Sequence, residues 1–222
     1  MIRRLPHRLS ALALSAVAIT GTMTVGSAPA HAQANRSCGP VTSADAAIGA
    51  QLNQILTSSM AHDMGDYHVS CARAIVNTVR NLGLPDRAAV IAVTTAIVES
   101  RLENNPNVLD ATSVGLFQQQ EWWGTTEQRL DPVWSTTAFI NEMLRTYPNN
   151  AWQSQEIGTV CQGVQRSAFP GRYQPQASDA QKIVDAITGS RVPASSLVSG
   201  RVATVYNPDT KTSEAFAIDT AG

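Results

Sequence analysis

The sequence predicts a mainly α-helical domain on an exported chain, and three observations predict it. The first 32 residues read as a removable leader. Between Ser43 and Gly189, apolar residues recur three and four apart, the period of a helix face. Only the end of the chain, 201–222, switches to the alternation of short strands.

The leader opens with Arg3, Arg4 and Arg8, runs through small and apolar residues from Leu9 to Val25, and reaches Ala30-His31-Ala32. A charged start, a short apolar core and an A-x-A site describe a secretory signal peptide over residues 1–32, leaving Gln33 as the new N-terminus. The alternative is an uncleaved membrane anchor. Ser10, Ser15, Thr20, Gly21, Thr22 and Thr24 interrupt the apolar run, so no stable membrane insertion is expected. The mature chain is expected to be secreted, with wall association left open.

The full chain of 222 residues has a formal charge of −1, and the leader takes away three Arg and no acid. Residues 33–222 then carry 13 Lys and Arg against 17 Asp and Glu, a formal charge of −4. A mildly acidic surface argues against nucleic acid as a partner, and against adhesion to anionic lipid or wall polymer by charge alone. The remaining length suits one domain with a proper core, expected as a monomer. No internal repeat interrupts it.

The elements follow in order. Gln33 to Thr42 is polar and loop-like, and Ser43 caps a helix with Ala47, Ile48, Leu52, Ile55 and Leu56 on one face. A polar loop, Thr57 to Ser70, leads to a second helix, Cys71 to Leu84, stopped by Gly83 and Pro85. Asp86 caps a third, Arg87 to Leu102, which is apolar nearly all round and so should be the buried central helix. Asp131-Pro132 opens a fourth, running to about Tyr147. Ser154 and Ser178 read as caps of two more, ending near Ala168 and Gly189. These make one helical domain, 33–189. Residues 190–200 read as a linker, and 201–222 as a β-rich tail, either a short hairpin around Asn207-Pro208-Asp209 or a fragment of a β module.

Three cysteines leave one thiol over after any disulfide. Cys161 lies on the stripe Ile157, Val160, Cys161, Val164 and reads as a buried small hydrophobe. That favours pairing Cys38 with Cys71, with Cys71 to Cys161 as the alternative.

Glu99 is the candidate catalytic acid. It lies near the end of the apolar third helix, stacked on Ala92, Thr95 and Ala96. A carboxyl in such surroundings has its pKa raised, because desolvation penalises the charged form. The plainer reading of that spacing alone is an exposed Glu near a helix end. The surrounding residues argue for more. Ala96-Ile97-Val98-Glu99-Ser100-Arg101-Leu102, followed by Ser113-Val114-Gly115-Leu116-Phe117-Gln118, resembles the signature of the soluble lytic transglycosylase and goose-type lysozyme superfamily. The resemblance runs from about Cys71 to Asp185, and is nearest to a secreted actinobacterial branch with a Gly-Leu-Phe-Gln-Gln turn.

That resemblance implies a lysozyme-like helical domain that cleaves the MurNAc-GlcNAc glycan strand of peptidoglycan. It gives Glu99 the role of general acid, Ser100 that of orienting it, and Gln118 a substrate contact. Gly115 would let the backbone pass close to the sugar. The family's later Ala-Tyr-Asn-Ala-Gly element has no literal copy; Gln165 and Tyr173 are the nearest cleft-lining candidates. Trp122 offers an aromatic face for a sugar ring, with Trp123 turned inward and Trp134 in the core.

A hydrolase needs a second carboxylate. Glu103, Asp110 and Glu121 are the local candidates, and none carries a motif. A lytic transglycosylase works with one Glu, which is the reading favoured here. The rivals are a hydrolytic muramidase or chitinase on the same fold, and a non-catalytic wall-sugar-binding protein. His62, Asp63, Asp66 and His68 form the one metal-like cluster, but in a polar loop without a helical H-E-x-x-H frame; no metal is expected there. No phosphate loop or G-x-S-x-G elbow is present, and no cofactor is expected.

Overall fold

Thr42 sets the first helix. Its hydroxyl accepts from the Asp45 backbone N–H while Asp45 accepts from the Thr42 N–H, a capping box that opens α1, Ser43–Leu52. Asp45 is also gripped by Arg73 at 2.8 and 2.9 Å. Burial works against its charge, but Arg73 and Thr42 outweigh it and hold its pKa below the usual carboxylate range. The computed structural model describes residues 33–108 and 111–189, and the backbone of two strands beyond them. The expected leader, the linker and most of the tail lie outside the described residues, as does Asp110.

The molecule is mainly helical. α2, Asp66–Asn81, begins five residues before the expected start at Cys71. Its first turn, Asp66-Tyr67-His68, is polar and hides the periodicity; His68 Nδ1 accepts from the Gly65 N–H and closes that end. α3, Asp86–Ser100, has every side chain from Ala88 to Ile97 buried, as expected of the central helix. It stops at Ser100 rather than Leu102, because Arg101 and Leu102 both turn left-handed, with φ of 57° and 61°.

A short helix the periodicity did not predict, α4 (Thr126–Leu130), is closed by a Thr125–Gln128 capping box. α5, Pro132–Thr146, opens as expected, with Asp131 accepting from the N–H groups of Val133 and Trp134. α6, Ile157–Gln165, ends where Arg166 turns left-handed, and α7 spans Ala177–Thr188. 3-10 turns at 148–153, 170–172 and 174–176 fill the connections.

α3 sits at the centre, packed by α2, α6 and α7 and touched by α5. Buried Asp179 on α7 ties in the loop after α1, accepting from the N–H groups of Thr57 (2.8 Å) and Ser58 (2.6 Å) and from Lys182 (3.0 Å). Cys38 pairs with Cys71, and Cys161 is the free, buried thiol. Two further strands, β1 (Ala203–Asn207) and β2 (Thr212–Phe216), pair antiparallel with Ala203 opposite Phe216. Among the described residues no helix is long and apolar enough to cross a membrane.

Candidate functional site

Glu99 lies on the last turn of α3, on the side that faces α6, where its charge acts on Cys161. Its carboxyl is partly buried, and that burial raises its pKa above the usual range against the opposing pull of Tyr173 and Arg172. Tyr173 is fully buried, between the two 3-10 turns that follow α6. Its hydroxyl donates to Glu99 Oε1 at 2.5 Å. Burial and the charge of Glu99 push the tyrosine pKa up in turn.

Beside Glu99 the chain makes a tight turn, closed by paired backbone bonds between Val114 and Gln119 at 3.1 and 3.2 Å. Two helix ends hold it. Ser100 Oγ, from α3, donates to the Leu116 carbonyl at 2.8 Å, and Gln165 Nε2, from α6, donates to the next carbonyl, Phe117, at 2.9 Å. Phe117 stacks on Phe139 of α5, ring centroids 4.9 Å apart. The turn is thus fixed from three helices, with the acid beside it.

These positions refine several expected roles. Ser100 reaches Leu116 and its own helix at Ala96, not the Glu99 carboxylate, so it positions the turn. Gly115 has φ of +77°, and a Cβ there would lie 2.3 Å from the Arg129 carbonyl oxygen. Its missing side chain makes room for protein backbone. Gln118 folds back to donate to the Gly115 carbonyl at 3.0 Å, with part of its side chain exposed. Tyr173 meets the acid itself.

Trp122 is 74% exposed, the most open of the large apolar side chains described. With Trp123, Gln165 and Asn141 it lines a groove of about 670 Å³. A smaller cleft of about 280 Å³ lies between Ile97, Val98, Arg101 and Arg172. Trp134 is partly buried, close against Gly124, and Trp152 is fully buried.

Of the candidate second carboxylates, Glu103 faces His68 Nε2 at 3.8 Å and Glu121 is exposed. The groups that act on Glu99 are Tyr173 and Arg172. Three of the four residues of the metal-like loop have hydrogen-bond partners outside the cluster: Asp63 accepts from Arg101, Asp66 from the Tyr67 N–H, and His68 from the Gly65 N–H. His62 is exposed at φ +64°.

Residues the sequence did not single out build much of the site. Buried Arg129 donates to the carbonyls of Thr112, Gln119, Gly124 and Thr125, tying the turn to the segment before α5. Asn104 donates to Leu130, and Arg172 stacks on Phe169 at 4.1 Å while acting on Glu99. No local pattern marks these residues, because their partners are carbonyls and rings supplied by the fold.

What the arrangement can do is hold one proton on a partly desolvated carboxyl beside a rigid turn, and donate it. Scans of the chain against family models and against curated proteins returned no match.

Proposed function

We propose that this protein is a secreted peptidoglycan-cleaving enzyme with a lysozyme-like helical domain, a lytic transglycosylase that uses Glu99 as its general acid. One observation carries the reading. Among the described carboxyls Glu99 is the one whose pKa stands above its usual range, raised by burial, and it sits beside the Gly115–Gln118 turn on which the resemblance rests.

The chemistry follows from a single carboxyl. Glu99 gives its proton to the glycosidic oxygen and the C1–O bond breaks. The muramyl 6-hydroxyl then closes on C1 and returns its proton to the Glu99 carboxylate, leaving a 1,6-anhydro end. Water in place of that hydroxyl makes the enzyme a hydrolase, and a base must then hold it. Among the described residues, the groups that act on Glu99 are Tyr173 and Arg172, neither of them a carboxylate, which favours the anhydro route.

The test is a digest of purified peptidoglycan, read by mass spectrometry. Anhydro-muramyl ends are expected from the unmutated protein, with Glu99→Gln slower by about 10²- to 10⁴-fold. Reducing ends would make it a hydrolase. No products, with binding retained, would make it a wall-sugar-binding protein.

A further inference from the structure

The groove beyond the turn holds three charged side chains that acid chemistry at Glu99 does not use. Glu142, on α5, accepts from Arg145 Nε and Nη2 at 2.6 Å each, and from Arg166 Nη2 at 3.2 Å. One carboxylate serves two guanidiniums, so the cluster keeps a surplus positive charge on a chain whose residues 33–222 are net acidic. The Arg145 guanidinium holds the Glu142 carboxyl below its usual range, so this inner ion pair persists across ordinary pH.

The guanidiniums are the outer layer. Their side chains are 65% and 67% exposed, against 21% for Glu142. Each guanidinium has five N–H donors, and Glu142 takes two from Arg145 and one from Arg166. Arg166 holds its place at φ +54°, the left-handed end of α6, a backbone position that favours glycine. Exposed Trp122 and the amides of Gln120 and Asn141 line the same groove. Gln165 joins groove and site, since it lines the one and clamps the turn of the other.

A groove of about 670 Å³ falls within the usual range for small-ligand sites. Spare, forked donors around a paired acid suit an incoming carboxylate, which a guanidinium binds through two parallel hydrogen bonds. One surplus charge matches a monovalent carboxylate better than a doubly charged phosphate.

We propose that this groove is a carboxylate-reading subsite, in which Arg145 and Arg166 take a carboxylate carried on the muramyl side chain and Trp122 covers the adjoining face of the strand. This rests on the glycan-cleaving reading above and sharpens its substrate. Peptidoglycan carries such carboxylates, either on its peptides or, where those are removed, on the bare lactyl group. A neutral amino-sugar polymer such as chitin has none.

The experiment is sedimentation binding of the unmutated protein, Arg145→Gln/Arg166→Gln and Glu142→Gln to four probes. The probes are acid-stripped peptidoglycan and strands freed of peptide by an amidase, each before and after its carboxyls are converted to amides. Amidation is expected to weaken binding of the unmutated protein roughly tenfold, the scale of one charge-assisted hydrogen bond, and to leave the double variant unchanged. Glu142→Gln, which frees both guanidiniums, is expected to bind native peptidoglycan more tightly than the unmutated protein. Affinity that amidation weakens on the peptide-bearing material assigns a peptide carboxylate; affinity on the peptide-free strands that is lost when those are amidated in turn assigns the lactyl one. Equal binding of the unmutated protein before and after amidation of both the peptide-bearing and the peptide-free strands overturns the proposal, whatever the variants do. Because binding is read without turnover, an absence of cleavage products bears on Glu99 and leaves the result for the groove intact.

Discussion

The Tyr173 hydroxyl donates to Glu99 Oε1 at 2.5 Å across 74 residues of sequence, and the bond works against the proton on the acid. Burial raises the Glu99 pKa, while the tyrosine favours the ionised form and pulls it back. Tyr173→Phe keeps the ring in its buried seat and removes only the donor. The Glu99 pKa is then expected to rise further, moving the alkaline limb of kcat/KM to higher pH. The stability cost should be about 1 kcal/mol, one hydrogen bond. A limb that moves to lower pH would mean that the hydroxyl holds the proton on Glu99.

Glu99 should also cost the fold stability at neutral pH. Its folded pKa is raised above the unfolded value, so the native state holds the proton more tightly than the unfolded chain. Stability should therefore fall as pH rises from about 4.3, the unfolded glutamate value, through the folded pKa. Glu99→Gln removes that slope and still offers an oxygen to Tyr173. Its Tm is expected above that of the unmutated protein at pH 7, with the gap closing below pH ~4. Parallel melting curves across that range decide it, and a gap constant with pH would refute the raised pKa.

Much of this site was legible along the chain, for a physical reason. α3 and α5 announce themselves through apolar period and an acidic start, and Glu99 rides at the end of the most buried helix. The first turn of α2 was hidden by its polar residues, and α4 by its five-residue length. The bond that Ser100 makes was not legible, because the Leu116 carbonyl it holds comes from a turn 16 residues later. Ser100→Ala should cost about 1 kcal/mol and lower kcat while leaving the pH limb of Glu99 in place. A shifted limb would return Ser100 to the carboxylate itself.

Arg129 carries the heaviest structural duty near the site. Only 4% exposed, it satisfies four carbonyls and the Thr126 hydroxyl with one guanidinium. Arg129→Met takes the donor from the Thr112 and Gly124 carbonyls, while Gln119 keeps the Val114 N–H and Thr125 keeps the backbone N–H of residue 129, at a cost of about 3 kcal/mol. Arg129→Lys should recover little, since an ammonium cannot reproduce the fork. At 2–4 °C per kcal/mol for a chain of this size, a Tm loss of roughly 6–12 °C is expected for the Met variant. A loss under ~2 °C would show that the turn is held by Ser100 and Gln165 without it.

The disulfide reaches the site through the N-terminal arm. Cys38 and Cys71 are 33 residues apart, worth about 3–4 kcal/mol in the chain-entropy view. The arm it anchors runs along the loop after α3. The Arg36 N–H donates to the Asn104 carbonyl at 2.8 Å, Gln33 and Asn107 exchange hydrogen bonds, and Tyr67 bridges Arg36 and Asn104. Cys38→Ser/Cys71→Ser should lower Tm by roughly 10 °C and speed amide exchange at 103–107. Cys161 cannot substitute, because it is buried and its thiol pKa is pushed up to about 12. The unmutated protein should accordingly show one reactive thiol, and only after unfolding. Faster exchange with little loss of Tm would mean that the bridge orders the arm rather than the domain, and slow exchange despite a large loss would mean that the arm's own hydrogen bonds hold the loop.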